Sequence, residues 1–282
     1  MTVAEKQMEL IEQLTKDLRS AAITLRDEEV RYLVDLYYQM QGVRIAAGNQ
    51  ISAIMKSDTP EPNNVLGWCV DSFKRLEGNI KKALDAYTDH NPATIWAKSI
   101  CGIGPVISAG LCAHIDITKA PTAGHIWSFA GLNPNQVWEK GQKRPWNADL
   151  KTLCWKLGES FVKVSSNDKD VYGKLWRLRK DEEITKNLNG DFKDQAEQIL
   201  AKKKIGKTTD AYKAYSKGVL PDGHIHARAK RWAVKLFLAH LHHVMYELHY
   251  KKEPPKPYIF EHQEGHVHYI GPPNWPIDKA LN

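Results

Sequence analysis

Apolar residues in the first third of the chain recur at alternating steps of three and four. From Val30 the series runs Leu33, Tyr37, Met40, Arg44, Ala47, Ile51 and Ile54, with only Arg44 out of character. A second runs Leu66, Cys69, Phe73, Leu76, Ile80, Ala83 and Tyr87. Spacing of this kind predicts amphipathic helix. Between the two series lies Asp58-Thr-Pro-Glu-Pro-Asn-Asn64, whose prolines at 60 and 62 forbid one continuous helix. Two heptad-patterned helices joined by a short connection predict a long antiparallel hairpin, a coiled coil over residues 26–88 with arms of roughly 40 to 45 Å. One partner helix does not bury such a stripe on both sides. The hairpin, taken as residues 1–95, is therefore expected to serve oligomerisation or docking, with a homodimer or higher oligomer as the default.

Beyond residue 95 the pattern changes to shorter helices and loops. A helix is expected from near Asn147, with Leu150, Leu153, Leu157 and Phe161 on one side and Lys151, Lys156 and Lys163 elsewhere. Another covers about Asp168 to Thr185, and a long one runs from about Gly223 to Tyr250, stopped by Pro254, Pro255 and Pro257. The interval Asn187–Gly223 is polar and lysine-rich, and it reads as an insertion with one or two small helices. No alternating strand of any length appears. The fold class is mainly α, a helical hairpin followed by a helical domain over residues 96–282.

Charge sharpens this division. The chain carries 40 Lys+Arg and 33 Asp+Glu, a formal net charge of +7. Residues 1–95 hold 11 basic and 14 acidic residues, net −3, and residues 96–282 hold 29 and 19, net +10. An anionic partner is expected for the second part. No apolar run approaches the roughly 18 to 20 residues of a membrane span, and acidic residues near the N-terminus replace the apolar core of a signal peptide. A cytoplasmic protein with no membrane partner is expected. Four cysteines without a C-x-x-C pair signal neither a disulfide framework nor a cysteine-based zinc site.

The sharpest local motif is Ile100-Cys-Gly-Ile-Gly-Pro-Val-Ile-Ser-Ala-Gly-Leu111, which fits a helix-hairpin-helix. Its glycines permit a tight turn that brings backbone N–H groups near a phosphate, contact that carries no base specificity. Gly102, Ile103, Gly104 and Val106 are its candidate DNA-contacting positions. Further on, Trp138, Lys140, Lys143, Arg144 and Trp146 interleave cations with indoles, a combination suited to phosphates and unpaired bases. Arg228 and Arg231, in the long helix, are further candidate DNA contacts.

These motifs resemble a known family. Cys101-Gly-Ile-Gly-Pro-Val-Ile-Ser-Ala-Gly-Leu-Cys-Ala-His-Ile-Asp116, followed by Trp127-Ser-Phe-Ala-Gly-Leu-Asn-Pro134, is similar to the C-terminal domain of the IS110/IS116/IS902 transposases. Asn147-Ala-Asp-Leu-Lys-Thr-Leu, Tyr172-Gly-Lys-Leu-Trp-Arg-Leu-Arg-Lys180 and Ala229-Lys-Arg-Trp-Ala-Val-Lys-Leu-Phe237 resemble that family's later segments in order, and the hairpin resembles its preceding coiled coil. The resemblance covers about residues 30–257 and is most specific over 100–134. It implies a DNA-binding protein of a mobile element or phage, in a prokaryotic or phage-infected cell.

The same resemblance exposes two departures. The family's RNase H-like domain, with its metal-binding carboxylates, has no counterpart in this chain. The family's serine nucleophile falls in a Ser-Gly pair where this sequence has Lys140-Gly141. Ser160, Ser165 and Ser166 lie nearby but not at the required place, and a phosphoserine intermediate needs a hydroxyl held in line with the phosphate. The expectation is therefore a non-catalytic DNA-binding protein with no catalytic residue. The alternatives are an active transposase or recombinase working with a partner, and a protein-interaction scaffold without DNA contact.

Histidine crowds the C-terminal part, where nine of the 12 follow residue 223. His224, His226, His262, His266 and His268 are candidate zinc ligands through their His-x-His spacing and nearby carboxylates. No spacing among them fixes a tetrahedral set, so no cofactor is expected.

Overall fold

The computed structural model describes residues 14–57, 64–255 and 270–276, and among them it holds eleven α-helices, two short 3-10 helices and no strand. In chain order they are α1 (Lys16–Ala21), α2 (Asp27–Ile54), α3 (Asn64–Thr88), α4 (Pro92–Ser99), α5 (Pro105–His114), α6 (Ala123–Phe129), α7 (Ala148–Val164), α8 (Tyr172–Leu188), α9 (Lys193–Lys202), α10 (Asp210–Ser216) and α11 (Asp222–Tyr250). Local chemistry sets several of their ends. The Glu29 carboxylate accepts from the Arg26 backbone N–H, and Asp27, Glu28 and Glu29 place negative charge on the positive end of α2. Asn147 caps α7 by accepting from the Leu150 N–H at 2.8 Å. Lys251 adopts a left-handed conformation, φ 56°, where α11 stops.

The described residues fall into two compact units. One lies within Met1–Lys98 and Gly104–Asp116, the other within Ser99–Ile103 and Ile117–Asn282. This division departs from a single cut at residue 95, because α5 packs on both α2 and α3.

In the first unit α2 and α3 pack along each other. Tyr87 near the end of α3 donates to Asp27 at the start of α2, and Arg44 bonds Glu77, so the two helices run antiparallel. The second pairing explains the one break in the apolar series. Arg44 Nε donates to Glu77 at 2.5 Å, and Gln41 donates to the same carboxylate at 3.2 Å. Burial alone raises the Glu77 pKa, but hydrogen bonds from Arg44 and Gln41 outweigh it and hold the carboxyl below its usual value. Val30, Val34, Ile80, Leu84, Trp96, Ala109 and Leu111 form the buried part of this unit. Along α2 no residue after Val34 is buried, and along α3 none before Glu77. Val43, Ile45, Met55, Val65 and Trp68 are exposed there.

In the second unit α11 packs against α6, α7 and α8. Phe161 of α7, Tyr172 of α8 and Phe237 of α11 form an aromatic trio, with Phe161 stacked on Tyr172 at a centroid distance of 4.9 Å and Tyr172 edge-on to Phe237 at 5.3 Å. Each such pair contributes about 0.5–1.5 kcal/mol beyond the area it buries. Gly173 makes the approach possible. A Cβ there would lie 2.4 Å from the Phe161 carbonyl oxygen and 2.7 Å from Ser165 Cα. The Asn187–Gly223 interval holds α9 and α10, which share a small core of Phe192, Ala196, Tyr215, Leu220 and Ile225. The thiols of Cys112 and Cys154 are buried and pushed up to about 12 by that burial, whereas Cys69 and Cys101 are partly exposed.

His240 extends the trio. Its Nε2 lies 2.7 Å from the Ile270 carbonyl, which only accepts, so Nε2 carries the proton and Nδ1 accepts from the Tyr172 hydroxyl at 2.7 Å. Burial pushes its pKa down to about 4, against a smaller opposing contribution from the Ile270 bond. A histidine with a lowered folded pKa stabilises fully above its unfolded pKa of about 6.5 and loses that contribution as pH falls toward its folded value. Stability should therefore drop between about pH 6.5 and 4, by on the order of 3 kcal/mol from this group. Denaturant unfolding across that range should show a shallower loss for His240→Asn than for the wild type; equal slopes would contradict the assignment.

Candidate nucleic-acid interface

The turn of the glycine motif is built on one glycine more than the other. Gly102 has φ +89°, and a Cβ there would lie 3.0 Å from Val164 Cγ2 and 3.1 Å from Ser160 Oγ. Its carbonyl accepts from the Ser160 hydroxyl. Gly104 is exposed and extended, φ −100° and ψ −178°, with open space where a Cβ would stand. It is the N-cap of α5 and offers no side-chain cap. Pro105 brings no N–H and Ser108 N–H closes on the Gly104 carbonyl, so Val106 and Ile107 supply the first-turn donors. The side chains of Ile103 and Val106, both candidate contacts, are buried at 6% exposure. The Ile103 N–H is committed to the Ile100 carbonyl at 3.0 Å, which leaves the backbone of Val106, in the first turn of α5, as the group open to a ligand.

The second candidate element is a pinned loop between α6 and α7. Gly131, φ +63°, follows α6, and the Asn147 N–H donates to the Phe129 carbonyl at 2.9 Å, tying the loop ends together. A Cβ on Gly131 would lie 2.8 Å from Trp146 Cγ, so the indole packs flush on the backbone. Midway along the loop Trp138 Nε1 donates to the Gln142 carbonyl at 2.8 Å, and Gly141 turns the chain at φ +95°. This leaves Lys140, Lys143 and Arg144 exposed.

Cations sit over rings throughout this unit. Arg144 lies 5.4 Å from the Trp138 centroid, Lys151 is 4.0 Å from Trp146, and Lys235 is 4.4 Å from Trp127. The Trp127 indole N–H also donates to the Lys235 carbonyl, fixing α6 on α11. Partial burial lowers the Lys151 pKa, and the charges of Arg144 and then Arg231 lower it further. Burial and the neighbouring Arg228 lower Arg231. Arg144 and Arg231 therefore disfavour the charge of Lys151, and among the described residues none of the three has an ion pair with a carboxylate. An arrangement of that kind gains free energy from an anion.

Arg228 stands differently from Arg231. It donates to Glu183 at 2.7 Å and to Gln195 at 3.1 Å, and lies 4.4 Å from the Phe192 centroid. Its charge is committed within the protein. Lys230 is likewise paired, with Glu159, and its stem crosses Gly158, where a Cβ would lie 2.7 Å from Lys230 Cγ. The candidate metal ligands His224 and His226 are separate from each other: His224 Nδ1 meets the Tyr215 hydroxyl at 3.2 Å and His226 packs edge-on to Trp176. Burial lowers both pKa values, with Arg231, Arg228 and Lys203 adding to the effect at His224 and Lys230 and Lys180 at His226. No group of three His, Cys, Asp or Glu residues suited to a metal occurs among the described residues. His262, His266 and His268 lie outside them.

Lys151 and Trp155 are two further candidate positions that the motifs in the sequence did not single out. They are one turn apart on the polar face of α7, opposite the buried Leu150, Leu153, Leu157 and Phe161. A tryptophan on the polar side of an amphipathic helix was the available signal. Among the described residues no helix is long and apolar enough to cross a membrane. Comparison with family models, with curated proteins and with solved structures gives no match.

The cation cluster is directly testable. Competitive amine labelling as a function of pH should give Lys151 a higher apparent pKa in Arg144→Ala than in the wild type, because one like charge is gone. An unchanged or lowered value would show that the two do not share a field.

Proposed function

We propose that the protein binds DNA through its phosphate backbone, as a component of a mobile element or phage related to IS110-type transposases, and that it does not carry out strand chemistry by itself. The observation that carries this reading is the cluster of Lys151 with Arg144 and Arg231, whose two guanidinium charges disfavour that of Lys151 with no described carboxylate to relieve them. Phosphates supply that charge, and displacing their counterions makes the binding favourable and steeply salt-dependent. The uncapped start of α5 offers backbone N–H groups of the type that meet phosphate without reading sequence. The mobile-element assignment rests on the quoted resemblance of residues 100–134.

The serines near the loop favour no catalytic role. Ser160 donates to the Gly102 carbonyl, and Ser165 donates to the Val162 carbonyl while accepting from Arg177. The same reading gives the outer part of α2 and α3, with its exposed Val43, Ile45, Met55, Val65 and Trp68, to self-association as a coiled coil.

Two exposed cations of the loop provide the test. Lys140→Ala with Arg144→Ala should weaken DNA binding across all sequences and reduce the slope of log affinity against log salt by about 2. A titration between about 50 and 200 mM salt reads the slope. A flat dependence for the wild type would instead indicate hydrophobic docking.

A further inference from the structure

Phosphate contact alone leaves one feature of this surface without a purpose. Trp155 is 58% exposed, although α7 buries its opposite face completely enough that Leu150 and Leu157 have no exposure. Phe129, at the end of α6, and Trp138, midway along the loop that follows it, are 42% and 38% exposed. An indole left in water forgoes the burial that makes tryptophan so stabilising elsewhere. Duplex DNA offers little to such a side chain, because its bases already stack on one another. An unpaired base presents a free face.

The charges around Trp155 are sorted in a way that suits a nucleotide. Lys151 lies one helical turn before it, about 6 Å along the axis, and carries a charge with no described carboxylate. Lys230 lies 5.4 Å from the Trp155 centroid, but Glu159 neutralises it. The open charge therefore stands to one side of the ring, with Arg144 and Arg231 near Lys151, while the ring itself is flanked by a neutral pair. A nucleotide has the same layout: an uncharged planar base and, about one helical turn away, an anionic phosphate.

We infer that this face takes single-stranded nucleic acid, with an unpaired base stacked on Trp155 and its phosphate held by Lys151, Arg144 and Arg231. The inference rests on the nucleic-acid reading above and narrows its ligand to strands with free base faces. Single-stranded DNA and RNA share this chemistry. Stacking on an aromatic side chain tolerates any base, so affinity follows strand state and length before sequence.

Fluorescence anisotropy on the full chain separates the possibilities. The probes are oligo(dT), oligo(U), an abasic strand of equal length and charge, and a duplex. Oligo(dT) or oligo(U) should bind more tightly than the abasic strand, and the tighter of the two identifies the sugar. Trp155→Ala should weaken that probe by about tenfold, as expected for one lost stack, and leave the abasic strand unchanged. Trp155→Phe should restore most of the affinity, which a merely structural role for the indole does not require. Lys151→Met should weaken every probe. Equal affinity for base-bearing and abasic strands, with Trp155→Ala silent, would overturn the stacking inference and leave duplex binding standing. Absence of binding to all four probes would overturn the nucleic-acid reading as well.

Discussion

Three helices of the second unit meet at one hydrogen-bonded aromatic contact. Phe161, Tyr172 and Phe237 pack ring on ring, and the Tyr172 hydroxyl is satisfied by His240, whose other nitrogen donates to Ile270. A buried phenol without such an acceptor would carry a penalty of about 1–3 kcal/mol. A histidine that charged there would lose its role as acceptor. The arrangement therefore holds only with His240 neutral, and burial keeps it so. The position of α7 on α11 depends on this contact, on the close approach at Gly158, and on the Gly173 gap. With its apolar face committed, α7 turns Lys151 and Trp155 outward.

The outward face is electrostatically unfinished. Other cations of the unit have carboxylate partners: Glu183 takes both Arg179 and Arg228, and Glu159 takes Lys230. Around the 131–147 loop Arg144 and Lys151 rest on indoles instead. A ring face contributes about 0.5–1 kcal/mol to an exposed cation and supplies no full negative charge. Folding tolerates the arrangement because packing in the layer beneath fixes the backbone. An anionic ligand would relieve it, and that difference between free and bound states is what would drive association.

Much of the helical layout was legible because apolar periodicity is a local property. The stripes from Val30 and Leu66 mark α2 and α3, and Leu150, Leu153, Leu157 and Phe161 mark α7. Arg44 broke its series for a reason no single helix contains, since its partner Glu77 is on the other arm. The division between units was not legible either. Residues Pro105–His114 follow the cut in charge at residue 95, yet they pack on α2 and α3. The site was partly legible. Composition located the cation and indole loop, but spacing cannot tell a committed guanidinium from an open one. Arg228 and Arg231 look alike in sequence, and only the fold brings Glu183 and Gln195 to the first. Ile103 and Val106 are apolar positions of the glycine motif, and their side chains are buried.

The central claim is that nucleic acid seats on the cation and indole face of the second unit. Hydrogen exchange of the full chain, with and without a saturating mixed-sequence single-stranded oligonucleotide, tests it most directly. Protection should appear over residues 129–155 and around Arg231 in α11. Protection confined to residues 14–98, on the acidic helical hairpin, would contradict the account.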